Sequence, residues 1–95
     1  MRFDWDESKA KSNLAKHGTS FMEAEGVFSP GSMFRDDLDH SETEFRFLAI
    51  GFSAKGRLLT VSFARLDAET YRIISARRAT KLEQQKYAEE KRKNG

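Results

Sequence analysis

The sequence predicts an α+β domain in which helices pack on one face of a curved antiparallel β-sheet, with one more helix at the C-terminus. Three observations carry that prediction. Apolar residues near the start fall between strong helix caps, the middle alternates with a period of two between tight-turn signals, and a final strand-like run, Arg72 to Arg78, leads straight into a helix start. At 95 residues the chain makes one domain, residues 1–95, with a thin core. Hydrophobic residues supply 38% and charged residues 34%, against a usual charged share of roughly 25%, so a partner is expected to cover part of the apolar surface.

Met1, Phe3 and Trp5 alternate with Arg2 and Asp4, which reads as a short half-buried strand. Asp6 is the N-cap of a first helix, with Trp5 stapled onto Ala10 and with Ala10 and Leu14 on its buried side. Gly18 ends that helix, and Lys16 and His17 occupy its last turn, where cations suit the helix dipole. Ser20 and Glu23 form a capping box for a second helix with Ala24, Val27 and Phe28 inward, stopped by Ser29-Pro30-Gly31. Met33 to Arg35 is a short strand, followed by an acidic loop from Asp36 to Glu42. Residues 44–53, 58–65 and 70–77 then form an antiparallel meander joined by turns at Ala54-Lys55-Gly56 and Leu66-Asp67-Ala68-Glu69. Thr80 and Glu83 make a second capping box, opening a helix to about Arg92. Its few apolar residues, Leu82, Tyr87 and Ala88, leave its docking open: solvent, a partner or the chain's own sheet.

Composition narrows the function classes. No cysteine is present, which removes disulfides and thiolate metal sites and fits a reducing cytoplasm. No apolar run approaches the roughly 20 residues that span a bilayer, and no signal-peptide pattern opens the chain, so no membrane role is expected. The net charge of +2 is modest and the pI is about 9.0, so contact with nucleic acid has to come from local clustering.

The Arg77-Arg78 pair at a strand end suggests an anion site, with a nucleic-acid phosphate as the anion. Strand period puts Glu44, Arg46 and Leu48 on one side of their strand, and sets Arg72, Ile74, Ala76 and Arg78 against Tyr71, Ile73, Ser75 and Arg77. Glu44, Arg46, Arg65, Arg72 and Arg77 fall near sheet edges, where they can surround a cationic patch holding one carboxylate. Such a patch can cleave RNA without a metal or other cofactor. Guanidinium groups stabilise the pentavalent phosphate, while Glu44, His17 or His40 serves as base or acid. Lys9 offers a phosphate contact if its helix borders the patch, and Tyr87 offers a ring for a base to stack on. The run Asp36-Asp37-Leu38-Asp39-His40 matches no strong metal motif and reads as a solvated loop with Asx-turns.

Phe3-Asp4-Trp5-Asp6, Lys9, Asn13, Lys16-His17-Gly18 and Ser20-Phe21 resemble the opening of the BrnT toxin family. Asp39-His40-Ser41-Glu42, Arg46, Ile50-Gly51, Gly56-Arg57 and Ile73-Ile74-Ser75-Ala76-Arg77 continue the likeness in the family's order, as do Thr80, Glu83 and Tyr87. The resemblance implies a fold similar to RelE-type ribonucleases and a toxin of a type II toxin–antitoxin system. It implies a cytoplasmic endoribonuclease that inhibits translation and is neutralised by a BrnA-like antitoxin with a ribbon-helix-helix domain. Two toxins and two antitoxins would form a heterotetramer that meets operator DNA only through the antitoxin. By position, the resemblance places Lys9, His17, Arg46, Arg65, Arg72 and Arg77 around the RNA, to which strand geometry adds Glu44. Arg65, Arg72 and Arg77 are then expected to hold the scissile phosphate while Glu44 or His17 moves protons, with Arg78 and Tyr87 as further RNA contacts.

Two other classes fit the same residues. A non-catalytic module of this fold would bind RNA or a protein through the patch. A metal-dependent nuclease would use Asp36, Asp37, Asp39 and His40, and EDTA separates it from the metal-free mechanism.

Overall fold

The computed structural model of the protein describes residues 1–37 and 45–94. Along the chain run β1 (Arg2–Asp4), α1 (Glu7–His17), α2 (Phe21–Glu25), β2 (Met33–Asp36), β3 (Arg46–Phe52), β4 (Leu58–Arg65), β5 (Thr70–Arg78) and α3 (Lys81–Asn94). The five strands form one sheet in the order β1-β5-β4-β3-β2. β2 to β5 are an antiparallel meander, whereas β1 lies parallel to β5 with Arg2, Phe3 and Asp4 opposite Thr70, Tyr71 and Arg72. The sheet is therefore mixed, a correction to the wholly antiparallel expectation. Parallel pairing needs a long connection, and here residues 5–69 intervene between the two strands.

Local chemistry sets the helix ends. Asp6 accepts the Lys9 N–H at 3.1 Å, and Gly18, at φ 67°, donates its N–H to the Leu14 carbonyl at 2.8 Å. A side chain with a Cβ is disfavoured at that left-handed position, which is why glycine ends α1. The buried side of α1 differs from expectation: Leu14 is 52% exposed, and Asn13 is the residue turned inward. β1 pairs only with Thr70, Tyr71 and Arg72, so the rest of that β5 edge needs hydrogen-bond partners. Asn13 supplies them, donating to the Ala76 carbonyl at 2.8 Å and accepting the Ala76 N–H at 3.1 Å. Its side-chain amide stands in for a neighbouring strand.

At α2, Ser20 accepts the Glu23 N–H at 3.0 Å, half of the expected capping box. Glu23 does not return to Ser20. Its carboxylate reaches the β3–β4 hairpin, where Ser53 donates to it at 2.6 Å and Arg57 closes an ion pair through Nε at 2.9 Å and through Nη2. The helix stops at Glu25, so Val27 and Phe28 enter the core from the turn that follows rather than from the helix. Phe28 is the hub of a ring cluster, 4.9 Å from Phe3, 4.8 Å from Phe63 and 5.6 Å from Tyr71 between centroids.

The core lies between α1–α2 and one sheet face: Phe21, Ala24 and Val27 pack on Ala49, Leu59, Val61, Phe63, Ile73 and Ala76. Residues opposite one another in a sheet share a face, so register assigns the second face to Arg46, Leu48, Ile50 and Phe52 of β3 and to Thr60 and Ser62 of β4. In β5 the register slips at Ser62/Phe63. Ser62 pairs with Ser75 and Phe63 with Ile73, which leaves Ile74 as the extra residue of a bulge. The bulge reverses the phase of β5, so Ile73 and Ala76 both meet the core while Arg72, Ser75 and Arg77 share the second face.

α3 docks on that second face. The Thr80–Glu83 capping box forms in both directions, at 2.8 and 3.2 Å. Further along, Tyr87 is buried, packs edge-on against Phe52 at 5.6 Å and donates its hydroxyl to the Gly31 carbonyl at 3.3 Å. One aromatic anchor thus holds a mostly polar helix, together with the bonds that Glu83 makes to Thr60 and Arg77.

Candidate functional site

The second face of the sheet carries an open pocket of about 370 Å³. Its floor is Leu48, Thr60, Ser62, Ile74 and Ser75, and its walls are Asp37, Arg46, Arg77 and Glu83. Each wall residue has a separate structural origin. Asp37 follows the last residue of β2, with its N–H bonded to the Arg46 carbonyl at 2.8 Å. Arg46 opens β3, Arg77 reaches the face because of the β5 bulge, and Glu83 arrives with the first turn of α3.

Arg77 and Glu83 form a two-pronged ion pair, Nη1 to Oε1 at 2.8 Å and Nη2 to Oε2 at 3.1 Å. Glu83 Oε1 also accepts from the Thr60 hydroxyl at 3.0 Å and the Thr80 N–H at 2.8 Å. Burial pushes the Glu83 carboxyl up, but the bonds from Arg77, Thr80 and Thr60 outweigh it and hold it at about 2. The Arg77 guanidinium is raised above its ordinary value, chiefly by its bonds to Glu83 and further by the charges of Glu83 and Asp37. Two guanidinium groups, that of Arg77 fixed by Glu83, and two carboxylates around hydroxyl-bearing floor residues can bind a phosphate diester and stabilise charge that develops on it. A Glu83 carboxylate with so low a pKa is a poor proton acceptor near neutral pH, which leaves Asp37 as the other carboxylate at hand.

The structure sorts the sequence-predicted residues. Arg46 and Arg77 converge in this pocket. Arg72 and Lys9 meet in a neighbouring one, with Asp4, Trp5 and Asp6, where Arg72 Nε lies 3.5 Å from Asp4. Ile74 lines both pockets, so the two adjoin across β5. Arg65 shares the row of Leu59, Val61 and Phe63, and its Nε donates to the Asp67 carbonyl at 3.3 Å, away from Arg77. Arg78 pairs with Leu59, putting it in the row opposite to Arg77. His17 is exposed in the last turn of α1, whose packing is on the opposite sheet face. Tyr87 is buried against Phe52, so its ring serves the docking of α3. Glu44, Asp39 and His40 lie outside the described residues; Asp36 ends β2.

Nothing in the residue order points Glu83 or Thr60 to the RNA site, and Asp37 enters only the metal alternative. Glu83 was legible as a capping residue; its side chain does that and grips Arg77 as well. Among the described residues no group of three or more His, Cys, Asp or Glu is placed to hold a metal ion. Among them, too, no helix is long and apolar enough to cross a membrane.

Residues 5–83 match the family model described as the ribonuclease toxin BrnT of a type II toxin–antitoxin system. Among solved structures, the crystal structure of the Brucella abortus ribonuclease toxin BrnT is similar at 28% identity and a TM-score of 0.66, over 85% of this chain and 99% of that one. Among curated proteins no significant match is found. The family match covers β2 to β5, α1, α2 and the capping turn that brings Glu83 to Arg77, and the chain belongs to the BrnT family of ribonuclease toxins of type II toxin–antitoxin systems.

Proposed function

We propose that the protein is a metal-independent endoribonuclease that inhibits translation, with its reaction centred on Arg46 and Arg77. The observation that carries this reading is the meeting of these two guanidinium groups with Asp37 in one open pocket of a BrnT-family chain. The 2′-oxygen attacks the adjacent phosphorus, the bond to the 5′-oxygen breaks, and the products are a 2′,3′-cyclic phosphate and a 5′-hydroxyl. Arg46 and Arg77 neutralise the charge that grows on the phosphate oxygens. Asp37 takes the 2′-hydroxyl proton, and a solvent water gives one to the leaving 5′-oxygen, which departs as the 5′-hydroxyl. Arg72 and Lys9, across Ile74, hold a flanking phosphate, which gives the Arg positions different roles rather than one shared one. The fold reading extends to RelE-type ribonucleases. The partner is a ribbon-helix-helix antitoxin in a two-plus-two assembly in the cytoplasm, and operator DNA is reached only through it.

The test is incubation of the purified protein with total RNA, with and without EDTA, beside Arg77→Ala and Arg46→Ala. Cleavage that persists in EDTA and falls at least about 100-fold in either variant is the expected result. EDTA-sensitive cleavage would instead support a metal-dependent nuclease. One observation favours a second reading, a non-catalytic binding module: the fork of Arg77 already carries a carboxylate. RNA binding without cleavage, on and off the ribosome, would establish that module.

A further inference from the structure

We infer that Glu83 is the positioning residue of the RNA site, and that the first turn of α3 is therefore part of the catalytic apparatus rather than an appendage. The inference rests on the reading of Arg77 as a phosphate-binding group. Three elements converge on this one carboxylate. β4 contributes the Thr60 hydroxyl, β5 contributes both terminal nitrogens of Arg77, and the cap of α3 contributes the Thr80 N–H. A group needed only to cap a helix requires the last of these bonds alone. A group needed only to neutralise a surface arginine would not be held by a buried threonine from another strand.

Geometry gives the consequence. Glu83 engages Nη1 and Nη2 end-on while Nη1 also donates to the Arg78 carbonyl at 3.3 Å, which together fix the guanidinium plane and leave the Nε edge and the outer hydrogen of Nη2 for a second acceptor. Arginine loses most of its side-chain freedom before substrate arrives, so the entropy of aiming it is not charged to the reaction. The same carboxylate places a negative charge beside an incoming phosphate and so weakens ground-state binding. Glu83 thus trades affinity for orientation, and the two effects separate in a kinetic experiment.

The experiment is single-turnover cleavage of a short RNA by the full chain, with binding measured separately on the same oligonucleotide carrying 2′-O-methyl groups. Four proteins are compared: wild type, Glu83→Gln, Arg77→Ala and the double variant. Glu83→Gln is expected to slow cleavage on the order of 10-fold or more while binding the non-cleavable RNA as well as or better than wild type. In the Arg77→Ala background Glu83→Gln is expected to change the residual rate less than about 2-fold, because it acts through Arg77. Thr60→Val, which frees one bond on Glu83 without altering charge, should show the same split more weakly. It also carries the test if Glu83→Gln fails to fold by circular dichroism.

An unchanged rate in folded Glu83→Gln beside an inactive Arg77→Ala overturns this inference and leaves the RNA site standing. Equal slowing in both backgrounds also overturns it, since Glu83 would then act independently of Arg77. Full activity in Arg77→Ala, or no cleavage by wild type on or off the ribosome, overturns the underlying reading and this inference with it.

Discussion

Replacing Glu23 by glutamine should make the protein's stability both lower and less sensitive to acid. The Glu23 carboxyl is drawn from its ordinary 4.5 to about 2 by the bond from Arg57, against burial and with help from Ser53. At about 1.4 kcal/mol per pH unit, that difference is worth about 3 kcal/mol of folding free energy at neutral pH. Glutamine keeps the shape and one acceptor oxygen, so a loss of about 2–3 kcal/mol is expected at pH 7. For a domain of this size that is a fall of roughly 10–20 °C in melting temperature. The sign follows from the direction of the shift. The folded state binds the proton less readily than the unfolded chain, so the stabilisation is complete above about pH 5 and disappears as pH falls towards 2.

Glu83 is depressed to the same region and Asp67 is lowered by the N–H groups of Glu69 and Thr70, so Glu23→Gln loses one of these acid-sensitive carboxylates and keeps the others. Urea denaturation at pH 7, 5, 4 and 3 reads both quantities at once. Wild type and variant should differ most at pH 7 and converge at the acid end. A difference below about 0.5 kcal/mol at pH 7, or parallel acid limbs, would refute the claim that this ion pair ties α2 to the β3–β4 hairpin.

Asn13→Leu leaves the Ala76 N–H and carbonyl without their partner and should cost about 2–4 kcal/mol in urea denaturation; wild-type stability would remove Asn13 from the role of strand substitute. Gly51→Ala would put a Cβ 2.0 Å from Ser32 Oγ and 2.8 Å from its Cβ, so a loss of about 1–3 kcal/mol is expected. Adding Ser32→Gly should restore most of that loss, and a failure of rescue would mean the clash lies elsewhere. Tyr87→Ala should speed amide hydrogen exchange across α3 while leaving β4 and β5 protected; uniform acceleration would show instead that α3 unfolds only with the whole domain.

Short-range signals were legible in the residues themselves. The Asp6, Gly18, Ser20 and Thr80 caps appear where their chemistry put them, because a cap joins atoms within four or five residues and owes little to the rest of the fold. β4 runs from Leu58 to Arg65 as its alternation requires, and the family likeness read from scattered positions agrees with the match over residues 5–83. Leu14 and Asn13 exchanged roles because burial on α1 is set by the unpaired edge of β5, a partner 63 residues away. Glu23 abandoned its local cap for the same kind of reason, since Arg57 offers a charge that Ser20 does not.

The site shows the division most clearly. Residue order alone supplies the side chains: the arginines of β3 and β5, the acidic end of β2 and a helix start just past Arg77. Strict alternation along β5 sets Arg72 and Arg77 on opposite faces, and one extra residue at Ile74 brings them to the same one. A bulge is a property of two paired strands, so no single strand's period reveals it. Likewise, a polar helix with one buried tyrosine does not say where it docks; Phe52 and Gly31 decide that, and with it the grip of Glu83 on Arg77. Local propensity determined the elements, whereas register and docking, which depend on contacts between distant segments, decided which charges meet.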